Sequence, residues 1–312
     1  MLCVNNLKGV TSSTRYNSGA LRECIVNEEN VIETPLGVLI PRYSRPDVRT
    51  KELKSLSFYE NGSLHSVYLN EQTDILTPLG TFPAELLTFY EDGSLFSVFP
   101  LNGQIGFGWS EEEEGALAKS YDYSLPFGEI TVKLNGMRFY PSGRLKSLLF
   151  WPGETVLVNT PLGTFPTRIG VRLFEDGLLE SFEPASPIII DTPIGPVMTY
   201  DVNAMAIEAD CNSVCFDHEG ELVQAKTSGD IIVKSEKTGR KRISSQTRMG
   251  LIDDTVIKLA LTLSFEKGRV IISDGSDTSA FEIEEHAFLV LPDYDLSGFE
   301  CAGECAGCAG CN

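Results

Sequence analysis

FYENGSLHSV at residues 58–67 and FYEDGSLFSV at residues 89–98 are two copies of one pattern. The pattern is an aromatic pair, a polar dipeptide, Gly, any residue and Leu. It recurs as FYPSGRL at 139–145, LFEDGLL at 173–179 and FDHEGEL at 216–222, with a weaker copy, RYNSGAL, at 15–21. Asn-Gly, Asp-Gly and Ser-Gly between apolar runs signal hairpins, because glycine accepts the positive φ that tight turns demand. A second signal, Thr-Pro-Leu-Gly, follows each of the first five in chain order. It stands at 34–37, 77–80 and 160–163, as TPIG at 192–195, and more loosely as SLPFG at 124–128. Gly19 and Gly37, Gly62 and Gly80, and Gly177 and Gly195 lie 18 positions apart, and Gly143 and Gly163 lie 20 apart. Gly93 and Gly128 are 35 apart because an insertion interrupts that unit. A last, degenerate copy is read to end at Gly239, 19 after Gly220, without its proline. Recurrence of this kind marks a repeat architecture.

Two turns per unit, joined by β-rich segments, predict an all-β fold: an array of antiparallel hairpins. Phe58, Phe89, Phe139, Leu173 and Phe216 hold one register, and Leu64, Leu95, Leu145, Leu179 and Leu222 another across the turn. The polar positions between apolar ones, Ser66, Ser97, Ser147 and Ser181, are expected to face solvent or to stack in rows. A lone hairpin cannot bury its apolar face, so stacked units are expected to share one core. The array spans residues 1–224, a small β cap 225–292, and a disordered or metal-ordered cysteine-rich tail 293–312.

The FYENGSLHSV and FYEDGSLFSV segments resemble MORN repeats, particularly the bacterial variant in which Tyr-Glu-Asn-Gly precedes Leu-x-Ser. The resemblance covers residues 13–240 through five or six degenerate copies. It departs from the MORN pattern in lacking the second glycine a few residues on, and in carrying the proline-containing TPLG turn. What the resemblance implies is a binding or scaffolding surface rather than an enzyme.

The wider composition fits this. The chain has 312 residues, 42% hydrophobic and 22% charged, as in ordinary globular proteins. No run reaches the roughly 18 apolar residues of a membrane span, and MLCVNNLKGV has neither the basic nor the apolar region of a secretory signal. A cytoplasmic protein is therefore expected. Forty-four acidic against 25 basic side chains give a net charge of −19, which opposes nucleic acid and anionic membranes and points to a protein partner.

The insertion, SEEEEGALAKSYDY from Ser110, predicts a short surface helix within 110–122, with Ser110 as N-cap and Glu111 to Glu114 in a first turn whose dipole favours negative charge. Four adjacent glutamates point around a helix rather than converging, so a solvated face is favoured over a hard-cation site. Residues 225–250 carry Lys226, Lys234, Lys237, Arg240, Lys241, Arg242 and Arg248 against Asp230 and Glu236. The stretch 234–248 reads as a solvated hairpin neutralised by the acidic body, with contact to a phosphate or an acidic partner as the alternative. Residues 255–291 alternate in β fashion, and a Phe-Glu-Lys-Gly turn at 265–268 suggests that the cap descends from a further repeat.

Four of the eight cysteines, Cys301, Cys305, Cys308 and Cys311, form a C-x3-C-x2-C-x2-C array. Their Ala and Gly spacers bury almost no apolar surface, so no core explains them, and they let a backbone fold closely around a soft ion. Several thiolates at such spacing can converge on Zn(II), another soft metal or an iron–sulfur cluster. Disulfides, which a reducing compartment opposes, palmitoylation, which the acidic flanks oppose, thiol redox chemistry and a functionless disordered tail are the alternatives. The C-x3-C-x2-C spacing also matches the radical SAM motif, but its place after the repeats, with no barrel following, rules against that class. Cys211, Cys215 and His218 form a lesser candidate set, because His218 holds the turn position of Glu60, Glu91 and Glu175. No Gly-x-Ser-x-Gly, P-loop, GxGxxG or His-Glu-x-x-His is present, so the sequence reads against an enzyme. The expected role is a non-enzymatic accessory protein, with an array that recognises a partner and a tail that holds metal. A thiol-redox or electron-transfer partner protein, and a pure scaffold, are the other classes.

Overall fold

Each of the six aromatic-pair copies closes by the same hydrogen bonds. The glycine N–H donates to the carbonyl three residues back, at 2.8 to 3.1 Å for Gly19, Gly62, Gly93, Gly143, Gly177 and Gly220. These glycines have φ between +80° and +93°, which an L side chain adopts only with strain. The register shifts by one residue just beyond the turn, as between Ser57 and Phe58 or Thr88 and Phe89. The turn is therefore bulged, and His65, Phe96 and Lys146 are the extra residues. The structure, a computed structural model, describes residues 6–125, 127–204, 212–237, 239–249 and 256–292.

It is an all-β protein with one short α-helix among the described residues, and the chain divides into two compact units. The first comprises residues 1–188 and 202–225, the second residues 189–201 and 226–312.

In the first unit the six hairpins form one antiparallel meander. The second strand of each pairs with the first strand of the next: Leu21–Val26 with Leu56–Phe58, Leu64–Thr77 with Gly80–Phe89, and Leu95–Phe99 with Gly128–Phe139. Leu145–Phe150 then pairs with Gly163–Leu173, and Leu179–Pro184 with Val214–Phe216. Strand period 2 sorts the partners into rows. Cys24, Leu56, Val67, Leu87, Val98, Met137, Leu148, Val171, Phe182, Val214 and Ala225 run partner to partner across the sheet, and each is 2% exposed or less. This row is the core. One residue away, on the opposite face, Ser57, Ser66, Thr88, Ser97, Arg138, Ser147, Arg172, Ser181 and Cys215 form a second row. Of the two expectations for the serines the row is realised: Ser66, Ser97, Ser147 and Ser181 are all buried. Ser57 Oγ lies 2.5 Å from Ser66 Oγ, and Thr88 hydrogen-bonds Ser97.

Beyond the sheet the strands bend and end in the TPLG turns. Leu64–Thr77 breaks register between Tyr68 and Thr73, and Gly163–Leu173 between Arg168 and Val171. At the latter bend a Cβ on Gly170 would sit 2.2 Å from the Leu148 carbonyl oxygen, so only glycine fits. The bent halves lie over the apolar face. Phe165 stacks on Phe182 at 5.8 Å between centroids, and Phe182 lies 6.2 Å from Phe216. Pro78 approaches Gly143, and Pro161 approaches Gly220. Each proline tip thus meets the bulged turn one hairpin beyond the hairpin it leads into.

The TPLG turn is locked by its threonine. Thr34, Thr77, Thr160 and Thr192 each donate from Oγ1 to the glycine carbonyl, at 2.7 to 2.8 Å. Each also accepts the amide two residues on, at 3.1 to 3.3 Å. Proline pre-sets φ and has no N–H to leave unpaired. Leu125, paired with Gly128, holds the threonine position in the interrupted copy and has no hydroxyl.

The second unit contains small sheets. Asp230–Ser235 pairs with Gly239–Ile243 on one side and Ala287–Leu291 on the other, and Leu261–Glu266, Arg269–Ser273 and Thr278–Glu282 form a meander. The Phe-Glu-Lys-Gly turn differs from the repeat turns. Phe265 pairs with Val270 and Glu266 with Arg269 without a register shift, so it is a plain two-residue hairpin. Basic side chains on the exposed strand Gly239–Ile243 and the turn before it find partners: Arg242 pairs with Asp230, Lys241 donates to Ser279, and Lys237 lies 3.3 Å from Glu285. No helix among the described residues is long and apolar enough to cross a membrane.

Candidate functional site

Where repeat geometry recurs in every copy, the residue types are explained by packing. The turn tyrosines are the clearest case. Tyr16 Oη donates to the Phe58 carbonyl (2.8 Å), Tyr59 to Phe89 (2.8 Å), Tyr90 to Phe139 (3.0 Å) and Tyr140 to Leu173 (2.9 Å). Each hydroxyl reaches the residue before the aromatic turn position of the next hairpin, so a ladder of side-chain bonds ties successive repeats. Burial pushes the Tyr59, Tyr90 and Tyr140 phenols above their ordinary range, helped by neighbouring acidic groups, which keeps the donors protonated. The ladder ends at Phe174, which has no hydroxyl; the His218 ring stacks on it at 3.8 Å.

His218 thus packs on the adjacent turn. Cys215 is half-buried in the polar row opposite Ser181, with Gln224 Nε2 3.4 Å from its sulfur. Cys24 belongs to the core row, and burial pushes its thiol up to about 11. Cys211, Cys301, Cys305, Cys308 and Cys311 lie outside the described residues. Among the described residues no three His, Cys, Asp or Glu side chains are grouped to hold a metal ion.

The departure from the repeat is the insertion in the third unit. The helix Glu111–Leu117 begins as expected, and the cap is a full capping box: Ser110 Oγ accepts the Glu113 amide while Glu113 accepts the Ser110 amide. The Ser110 amide and the Ser110 hydroxyl both donate to the Glu113 carboxyl and hold it below its ordinary range. Three glutamates are exposed, but Glu114 is not solvated. It turns inward, 3% exposed, and meets Arg49. The Arg49 guanidinium is bidentate to Glu114, at 2.6 and 2.7 Å, and bidentate to Glu85, at 2.8 and 3.0 Å. Trp109 Nε1 also donates to Glu114 (2.9 Å), and Asn102 donates twice to Glu85. The two carboxylates hold Arg49 well above the ordinary guanidinium range, their hydrogen bonds outweighing desolvation.

This triad fixes the helix and its leading loop. Thr50 bridges Ile105, and Gly106 N–H donates to the Arg49 carbonyl at 2.6 Å. A Cβ on Gly106 would lie 2.7 Å from the Val48 carbonyl oxygen, so glycine is required for that approach. On the other side Gly115 lets the helix touch the indole of Trp151: a Cβ there would be 3.1 Å from Nε1. Between the helix and the turn 151–154 lies a cleft of about 890 Å³, lined by Ile105, Glu111, Glu112, Lys133, Trp151 and Glu154 among others. Trp151 lines it, and Trp109, which is not on the lining, donates to the lining Glu114. Phe107, in the loop before the helix, is fully exposed, and Leu117 is exposed at the helix end.

The sequence marked the insertion and its N-cap but not the cleft. The helix period does not single out Glu114, which shares a face with Glu111 three residues before it, and its partner Arg49 lies 65 residues away and carries no motif. Comparison of the chain with family models, with curated proteins and with solved structures returns no match.

Proposed function

We propose that this chain is a non-enzymatic recognition protein: a MORN-like hairpin array as the scaffold, a binding surface at its interruption, and a C-terminal thiol tail that holds a soft metal ion or an iron–sulfur cluster. The observation that carries the recognition role is the insertion. The uninterrupted units repeat one hairpin turn, and the insertion presents an exposed phenylalanine and, with Trp151 of the next hairpin, a cleft beside the Arg49–Glu85–Glu114 cluster. Aromatic side chains at an open concavity are what protein partners engage most strongly. The chain's acidity and its lack of a membrane-spanning helix among the described residues fit a protein partner in the cytoplasm.

The tail reading rests on spacing. Cys305, Cys308 and Cys311 at two-residue intervals, with Cys301 four residues earlier, supply up to four thiolates from one short loop. Anaerobic purification of the full chain and of a form ending at Gly298 tests it, by bound metal, acid-labile sulfide and visible absorption. Metal or cluster in the full chain alone is the expected result. A reversible visible spectrum assigns electron transfer as the tail's role, and a colourless stoichiometric metal assigns capture. Two equally empty forms after reconstitution overturn the tail reading.

A further inference from the structure

We propose that the cleft beside the helix Glu111–Leu117 binds a cationic peptide segment carrying a bulky apolar side chain. This rests on the recognition reading above and names its ligand class.

The charges lining the cleft are unequal. Glu111 and Glu112 are exposed at its rim, and Glu154 stands at the far side. Lys133 is the basic group on the lining, and its Nζ is 3.4 Å from the Gly115 carbonyl oxygen at the helix end. Glu114 is matched by Arg49, which it shares with Glu85, so the base of the cleft adds further negative charge. A cation entering here meets acidic side chains and borders the indole of Trp151. The whole chain, at −19, steers the same kind of ligand.

The apolar part calls for more than a small cation. Trp151, Pro152 and Ile105 line the cleft, whose volume of about 890 Å³ sits at the upper end of the roughly 300–1,000 Å³ typical of ligand pockets. Phe107, two residues from the lining Ile105, and Leu117, at the end of the lining helix, are exposed apolar side chains outside the lining. A peptide with one large apolar anchor and flanking Lys or Arg covers both. The site is preformed: the guanidinium fork, the Gly106 amide and the Trp151 amide, which donates to the Lys133 carbonyl at 2.8 Å, hold its walls in place. Little ordering is left to offset binding.

Trp109 and Trp151 are the chain's two tryptophans, so emission reads this site directly. The full chain is titrated with the peptide KRFLRK, and separately with EDFLDE. The expected result is a saturable emission change with KRFLRK that weakens as salt rises. The double variant Glu111→Lys, Glu112→Lys should lose about tenfold in affinity, since two rim ion pairs are removed and reversed. Glu111→Gln with Glu112→Gln should lose less in the same direction, with the helix cap at Glu113 intact. Phe107→Ser should weaken binding and leave the urea midpoint unchanged. Equal binding of EDFLDE overturns the cationic class while leaving recognition at the cleft standing. No saturable change with either peptide overturns both. A wild-type dimer in sedimentation that the double Lys variant makes monomeric would identify a second copy as the occupant and overturn the proposal.

Discussion

Replacing Tyr90 by Phe removes one rung of the hydroxyl ladder and little else. The ring remains, and with it the edge contact to Phe96 at 4.9 Å between centroids. What is lost is the 3.0 Å bond to the Phe139 carbonyl, partly buried between the third and fourth hairpins. A neutral hydrogen bond of this kind contributes about 0.5–1.5 kcal/mol net. The first unit should therefore lose about 1 kcal/mol, or roughly 2–4 °C in Tm for a unit of this size. Both tryptophans lie in the first unit, so urea unfolding followed by tryptophan emission reports it without interference from the second. Tyr43→Phe is the control: its hydroxyl lies 3.5 Å from Glu29 on the exposed surface, and the change should stay within about 0.5 kcal/mol. The triple variant Tyr59→Phe, Tyr90→Phe, Tyr140→Phe should lose about 3 kcal/mol if the rungs act between nearest neighbours. A Tyr90→Phe midpoint equal to that of wild type, or equal losses from Tyr90 and Tyr43, would refute the idea that these hydroxyls tie the repeats.

Other consequences follow from the same contacts. Arg49→Ala leaves the Glu85 and Glu114 carboxylates buried without their cation and should cost about 3–5 kcal/mol by urea unfolding, with the helix Glu111–Leu117 losing its place. Thr77→Val removes a donor and an acceptor from a TPLG turn and should cost about 1–2 kcal/mol, while Thr77→Ser restores most of it. Gly170→Ala places a methyl against the Leu148 carbonyl and should unfold the first unit or lower its midpoint well beyond that of Gly37→Ala, where the added methyl meets open space. Alkaline titration should also discriminate. Burial raises the folded phenols of Tyr59, Tyr90 and Tyr140 above the unfolded value of 10.0, so their stabilisation is complete below about pH 10 and is lost as pH rises through the folded values. The three-Phe variant should show a shallower alkaline loss than wild type.

The turn glycines and the apolar register were legible because they are local: a hairpin needs its glycine within a few residues, and a core face needs period 2. Phe58, Leu64 and their equivalents declared the all-β array on those grounds. Alternation alone does not decide between solvent and stacking for the serine row, because its partners, such as Ser57 for Ser66 and Thr88 for Ser97, come from pairing between strands. The tyrosines were visible as a repeated letter, yet the purpose of that letter, a bond to the next hairpin 30 to 49 residues away, needs the meander to be folded first. Glu114 shows the same limit. Its neighbours are solvated as expected, and it alone is drawn in by an arginine from a distant loop. The 265–268 turn shares its Phe and Gly with the repeat but not its geometry, since two residues and no bulge make a different hairpin from the five-residue form.

Hydrogen exchange, read segment by segment with and without the KRFLRK peptide, tests most directly whether binding happens where the repeat is broken. Slowed exchange confined to residues 103–117 and 151–154 is the predicted result. Slowed exchange along the bulged turns at Gly62, Gly93 and Gly143, or none anywhere under saturating peptide, would contradict it.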